Sequence, residues 1–263
     1  MQKDEELLKK RLQEFSSQAY YRGIVTYSDF MNLNELNILH SIPHSDLYTR
    51  FETFGGYELS ERQMAAFIPD ALYCEINYPL IPVKIAPLNK KFTEELTHRD
   101  YLGAILNLGI NRNKVGDILV GTNTAKGSGG SLQEQEAILF LQESLLDFLQ
   151  KELTRVKHTQ VSVEPADFSM EEYQPSFEEI TGTVASIRLD SLLALAFPVS
   201  RSKMTSVIEA ARVFVNGKLI TSNGYQVREN DIISVRKMGK FRYIKTLTKT
   251  KKNRYMILLH KYI

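Results

Sequence analysis

The chain has 263 residues, 43% of them hydrophobic, and a formal net charge of +2; this length favours two or three modules over one, and the composition is ordinary for folded protein. A single cysteine, Cys74, excludes an internal disulfide and a Cys-rich metal site, and is expected in the core. The longest uncharged apolar run, LLALAFPV, is too short to cross a bilayer, and the charged, amphipathic opening MQKDEELLKKRLQEF is no secretory signal, so a cytoplasmic protein without membrane contact is expected.

Residues 1–71 read as a mainly helical N-terminal domain. An opening amphipathic stretch is followed by FMNLNELNILHSI, where Leu33, Leu36 and Leu39 lie close to helical spacing, and by LSERQMAAFI after Gly55-Gly56. From residue 72 the texture changes. IPVKIAPL predicts a strand, LTHRDYLGAILNLG a helix ended by Gly109, GDILVG and EAILFL two strands, ESLLDFLQKEL a helix, and HTQVSVE a last strand. That order, βαββαβ over 72–165, is the split arrangement of ferredoxin-like and RNA-recognition (RRM-like) folds. The aromatic signature of RNA-recognition strands is missing, since the two middle strands offer only Phe140. TNTAKGSGGSLQEQ reads as a flexible insert, and the acid- and Pro-rich 166–181 as a linker.

Residues 182–263 form a third, basic module, so the fold class of the whole chain is α+β, with a helical N-terminal region. Over 187–263 there are 16 Lys+Arg against 4 Asp+Glu, a surplus of +12, while the remaining 17 against 27 leave residues 1–186 at −10. Such a split reads as a polyanion-binding end, with nucleic acid the leading partner. RLDSLLALAFP places Leu189, Leu192, Leu193, Ala196 and Phe197 on one helical stripe, closed by Pro198. A second helix starts at Ser200, with Met204, Val207, Ile208 and Ala211 facing the core; VFVNGKLI predicts a hairpin turning at Asn216-Gly217, and DIISVRK a further strand.

The start of that second helix breaks a local rule, because Arg201 and Lys203 put cations where the helix dipole is already positive. Open N–H groups joined by Arg201, Ser202 and Lys203 make a phosphate site there; the bland alternative is solvated surface charge, and pairing of both tips with carboxylates of the same molecule would contradict the phosphate reading. Arg212, about 16 Å further along the helix, suits a separate point on the backbone of a nucleic acid. In the tail VRKMGKFRYIKTLTKTKKNRYMILLHKYI cations interleave with Phe241, Tyr243, Tyr255 and Tyr262, most of which are expected in the core. The expected RNA face thus comprises Arg188, Ser200, Arg201, Ser202, Lys203 and Arg212, extended by Lys218, Arg236, Lys237, Lys240 and Arg242. His98, Arg99, Arg112 and Lys114 are candidate secondary contacts. Arg201→Glu with Lys203→Glu is expected to weaken RNA binding and spare the fold, since both lie off the apolar stripe.

RLDSLLALAF, SRSKMTSVIEAARVFVNGKLI and ENDIISVRKMGKF resemble an S4 RNA-binding domain over about residues 182–245, with Ala211 and Asn230 standing where such domains commonly carry Gly. GGYELSERQMAAFIP and LTHRDYLGAILNLGINRNKVGDILV extend the resemblance over nearly the whole chain to the YlmH family, bacterial S4 proteins encoded beside cell-division genes. That resemblance implies a binder of large-subunit rRNA and tRNA in the rescue of stalled nascent chains, with rescue or division proteins as further partners.

Other motifs fail on context. HRD at 98–100 has Ile105 where a kinase loop needs Asn, RLD at 188–190 lacks a catalytic domain, KMTS at 203–206 lacks its synthetase partner motif, and His40, His44 and Asp46 lack a third strong ligand. A non-catalytic protein with no cofactor and no metal is therefore expected. The alternatives are an RNA-modifying enzyme using His98 or Asp100, and a division scaffold using the acidic front half.

Overall fold

The computed structural model describes residues 2–72, 75–89, 94–121, 136–167 and 177–262, with side chains from Asp4 onward. Cys74, the insert 122–135 and linker residues 168–176 lie outside the described residues. The chain forms two compact units, Met1–Gln174 and Pro175–Ile263.

The first unit opens with helix α1 (Gln2–Arg22), whose Asp4 and Glu5 in the first turn and Arg22 in the last suit the helix dipole. After strand β1 (Thr26–Tyr27), helix α2 (Leu33–Ser41) begins on an Asn32 capping box in which Glu35 returns a bond to the cap N–H. Strands β2 (Arg50–Phe54) and β3 (Met64–Ile68) follow, and the three strands pair antiparallel in the order β1-β3-β2. The N-terminal region is thus helical with a small sheet. The helix expected over LSERQMAAFI is instead the central strand of that sheet. Every residue of MAAFI is buried, and a short, continuously apolar run carries no periodicity that separates strand from helix.

The remaining elements of this unit are β4 (Leu80–Pro87), α3 (His98–Asn107), β5 (Val115–Val120), β6 (Ala137–Gln142), α4 (Leu146–Glu152), the short β7 (Arg155–Val156) and β8 (Thr159–Pro165). Their antiparallel sheet runs β5-β6-β4-β8-β7, the split βαβ order of a ferredoxin-like fold with one added strand. Gly109, at φ +86, closes α3. One sheet face packs Val83, Ile85, Leu139 and Leu141 against Tyr101, Ile105 and Leu149 of the helices.

Phe140 lies on the opposite face but is completely buried. Tyr57 stacks on it at 5.2 Å, and a Cβ on Gly56 would come within 2.1 Å of its ring, with Gly56 itself at φ +100. The first seventy residues therefore cover the one aromatic that the middle strands could have offered to a base. Arg62 secures this cover, donating to the carbonyls of Phe30, Arg112 and Val115, while the Asp117 carboxylate accepts from the Tyr57 hydroxyl and the N–H groups of Glu61 and Arg62.

The second unit is a six-stranded antiparallel sheet with two helices on one face. Its elements are β9 (Phe177–Val184), α5 (Leu189–Ala196), α6 (Arg201–Glu209), β10 (Val213–Val215), β11 (Lys218–Leu219), β12 (Ile232–Val235), β13 (Gly239–Lys249) and β14 (Tyr255–Tyr262), in the sheet order β11-β10-β12-β13-β14-β9. Residues 177–181, read as linker, belong to β9, which pairs with the whole of β14. The expected stripes meet as one core: Leu189, Leu192, Leu193, Met204 and Ile208 pack on Val213, Val215, Ile233, Phe241 and Tyr243, each buried leucine contributing about 2 kcal/mol. Asn216 and Gly217 both take positive φ, 48° and 78°, as a two-residue hairpin requires. Ala211 (φ 55) and Asn230 (φ 69) are also left-handed, which explains why glycine suits both positions; Asn tolerates this conformation, whereas Ala carries a strain of about 1 kcal/mol.

Gly56→Ala should cost the first unit about 3 kcal/mol, since it combines a disfavoured φ with a clash on a buried ring. The thermal unfolding of the full chain reads this loss directly.

Candidate nucleic-acid interface

The unusual turn at the start of α6 is built around a carboxylate from α5. Asp190 sits in the first turn of α5, where the helix dipole favours an acid, and its side chain is only 9% exposed. The Arg201 guanidinium reaches it at 2.8 Å and also donates to the Ser191 hydroxyl at 2.9 Å. Arg188, the residue capping α5, approaches the same carboxylate at 3.2 Å. Two guanidinium groups share one negative charge, so the cluster retains a charge of +1, and 57% of the Arg201 side chain and 39% of the Arg188 side chain remain exposed.

This arrangement corrects the sequence-based account of Arg201. Its position is explained within the molecule by Asp190, with no phosphate needed to offset the dipole. The accompanying mutational expectation falls too, because Arg201→Glu would set a second carboxylate against a buried one and disturb the contact between the two helices. Lys203 differs. It is exposed, and among the described residues it makes no ion pair. Ser200 caps α6 at a long 3.4 Å to the Lys203 N–H, and its hydroxyl lies 3.1 Å from that of Ser202. Two open first-turn N–H groups, two hydroxyls, an exposed ammonium and a surplus guanidinium charge therefore share one surface at the start of α6.

The other expected residues do not all join this surface. Phe241 and Tyr243 point into the core beneath the helices, so Lys240 and Arg242, which alternate with them, lie on the far face of the sheet. The Arg236 guanidinium covers the ring of Phe214 at 5.2 Å on that far face. A single continuous RNA face is thus ruled out by the strand's own alternation. Arg212 bonds to the Arg236 carbonyl at 2.8 Å and receives that residue's N–H, which ties the end of α6 to β12. Lys218 is exposed on the edge strand β11, and Lys237, at φ 65, is exposed in the turn between β12 and β13.

Of the secondary candidates, Arg112 and Lys114 serve the fold. Arg112 donates to the carbonyls of Val115 and Gly116, and burial, followed by the nearby Arg62, pushes it down to about 10 despite Asp117. Lys114 pairs with Asp29, which Asn113 also contacts. His98 is pushed below its ordinary value first by burial and then by Arg112, so it is neutral at pH 7 and adds no positive charge. His98 and Arg99 are both exposed without an ion pair among the described residues, and of the two only Arg99 brings a positive charge at pH 7. Asp100, the residue an RNA-modifying reaction would use, accepts from the N–H and hydroxyl of Thr97 and pairs with Lys157 at 2.9 Å. These bonds, led by that to Lys157, hold it down to about 2, which suits a helix-capping carboxylate and not a proton acceptor at neutral pH. His40 packs its ring against Phe51 at 5.6 Å.

Asp190 was the functional residue hardest to see. Its signal lay in the RLD triplet, where an acid in the first turn follows an arginine, but its partner Arg201 is eleven residues away and on another helix.

Comparison with known families agrees with this architecture. Residues 74–170 match the family described as "Putative RNA-binding domain in YlmH", and residues 187–233 match the S4 domain. The chain thus carries a domain of the YlmH RNA-binding type followed by an S4 domain. The ribosome-associated protein quality control protein P2 of Bacillus subtilis (strain 168) is 29% identical over 245 residues, covering 91% of this chain and 88% of the relative. The cell division protein ylmH from Streptococcus pneumoniae is 22% identical with a TM-score of 0.49, covering 64% of this chain and 94% of that one. The two RNA-binding domains occur in sequence, and among the described residues no helix is long and apolar enough to cross a membrane.

Asp190→Asn should leave Arg188 and Arg201 facing each other without a full counter-charge. Because both arginines are substantially exposed, the expected loss is about 1–2 kcal/mol, below that of a fully buried pair, and the urea midpoint of the full chain measures it.

Proposed function

We propose that this chain is a non-catalytic RNA-binding protein of the cytoplasm that docks on structured RNA, large-subunit rRNA or tRNA, during rescue of stalled nascent chains. The observation that carries this reading is the Asp190 cluster. One carboxylate orients two guanidinium groups without cancelling them, and Lys203 stands beside them at an open helix start. Oriented forks of this kind suit phosphate oxygens, and recognition of folded RNA rests largely on backbone and shape. The name of the Bacillus subtilis relative, a ribosome-associated quality control protein, supports the ribosome as the setting.

In this reading Arg188, Ser200, Arg201, Ser202 and Lys203 hold the RNA, with Arg212 and Lys218 at the margin. The acidic residues 1–186, comprising the parts 1–71 and 72–165, the linker 166–181 and the first five residues of the basic module, resist indiscriminate coating by RNA and position the rest of that module. Arg99 is the remaining candidate for a contact outside it.

Lys203→Glu provides a clean test because it separates stability from binding. A glutamate in the first turn of α6 suits the dipole, so the unbound protein should gain about 0.3–1 kcal/mol. RNA affinity should nevertheless fall, with the slope of log K against log salt shallower by about 1. Co-sedimentation with ribosomes and titration of a purified rRNA fragment report the binding; undiminished affinity in a stabilised protein would refute the site.

A further inference from the structure

The S4 match ends at residue 233, before the longest strand pair of the second unit. β13 runs to Lys249 and β14 starts at Tyr255, yet β12 pairs only with Gly239–Arg242 of β13. The distal part of β13 therefore extends past β12, and Lys245, Leu247, Thr248 and Lys249 are all exposed. Register shifts between Tyr243 and Lys245 and between Thr246 and Thr248 turn this extension, as bulges do where side chains are re-aimed. Lys245 lies across from Leu258, on the face away from the helices, and so continues the line of Lys240 and Arg242.

The extension ends in a well-braced turn. Asn253 at φ 60 donates to the Thr250 carbonyl, Thr250 and Arg254 close the hairpin, and the Arg254 guanidinium holds the Thr183 carbonyl at 2.8 Å. Lys249 lies over the ring of Tyr255 at 5.3 Å. Four of the six residues from 249 to 254 are cations, and no acid occurs after Asp231. Two carboxylates of this unit are already engaged: Glu229 accepts from the Thr246 N–H, and Glu179 faces His260. Lys245, Lys251 and Lys252 are exposed and make no ion pair among the described residues.

Lysines guard exposed strand edges against mispairing, and this accounts for Lys245 and Lys249. It does not account for Lys251 and Lys252, which sit in a turn with no edge to guard. We propose that the outer face of β13 and its turn form a second surface for an RNA phosphate backbone. It lies across the sheet from the α5–α6 surface, so that the second unit holds two RNA segments on opposite faces. This rests on RNA being the ligand of the first surface. Duplex backbone is the occupant favoured here, because the outer strip offers spaced point charges, its Phe214 is fully buried, and the exposed Phe177 on the same face is already stacked on His260 at 4.0 Å.

The test uses full-length protein and a paired RNA stem-loop in two forms, one bound to beads and one fluorescent. Wild type should hold the beaded RNA and capture the fluorescent RNA, and sedimentation velocity in solution should show one chain with two RNAs. Lys245→Glu with Lys251→Glu and Lys252→Glu should melt like wild type and still hold the first RNA, but capture the second at least about tenfold less, with a total salt slope shallower by about 3. A control with the same charge change in the first unit, Lys9→Glu with Lys10→Glu and Arg22→Glu, should capture normally. Wild-type capture by the Lys245, Lys251 and Lys252 triple variant, equal loss in the control, or two chains in each bridged complex would overturn the second surface. If wild type holds no RNA at all, the failure belongs to the proposed function itself.

Discussion

The buried carboxylate of Asp190 organises the helix face of this protein's basic end. Asp190 is held at the start of one helix by the dipole and by the burial of Leu189, Leu192 and Leu193 behind it, and it fixes the guanidinium groups of Arg188 and Arg201 in front. Without it, two long cationic side chains and a helix start of the same sign would repel one another. With it, they form an oriented, still positive surface whose geometry exists before any ligand arrives. Such preorganisation lowers the entropy lost on binding.

Much of this was legible in the chain. The stripes of α5 and α6, the Asn216-Gly217 hairpin and the βαββαβ order of the central elements follow from periodicity and turn chemistry, which act within each segment whatever strand it pairs with. Three features were not. MAAFI is buried on all sides and carries no period, so β3 resembles a helix end. FEEITGTV looks like linker because β9 is an edge strand with acids facing out. The Asp190–Arg201 pair joins two helices, and nothing in local spacing announces it.

The separation of the basic residues onto two faces follows from strand alternation. Phe241 and Tyr243 were expected in the core, and a strand's alternation then sends Lys240 and Arg242 to the opposite side. The consequence was available from the sequence. The basic charge is thus divided between a helix face and a sheet face, and the acidic first unit keeps the net charge near zero. In that unit the sheet aromatic Phe140 lies beneath Gly56 and Tyr57, which leaves the ferredoxin-like fold there without the stacking platform of an RNA-recognition domain.

The most direct test of the central claim is the RNA affinity of Asp190→Asn at fixed salt. The substitution removes a negative charge beside the proposed site, so if net charge alone governed binding, the affinity would rise. If the carboxylate's task is to aim Arg188 and Arg201, the affinity falls despite the gain in positive charge, and that fall is the result expected here. Tighter binding by the variant would contradict the account.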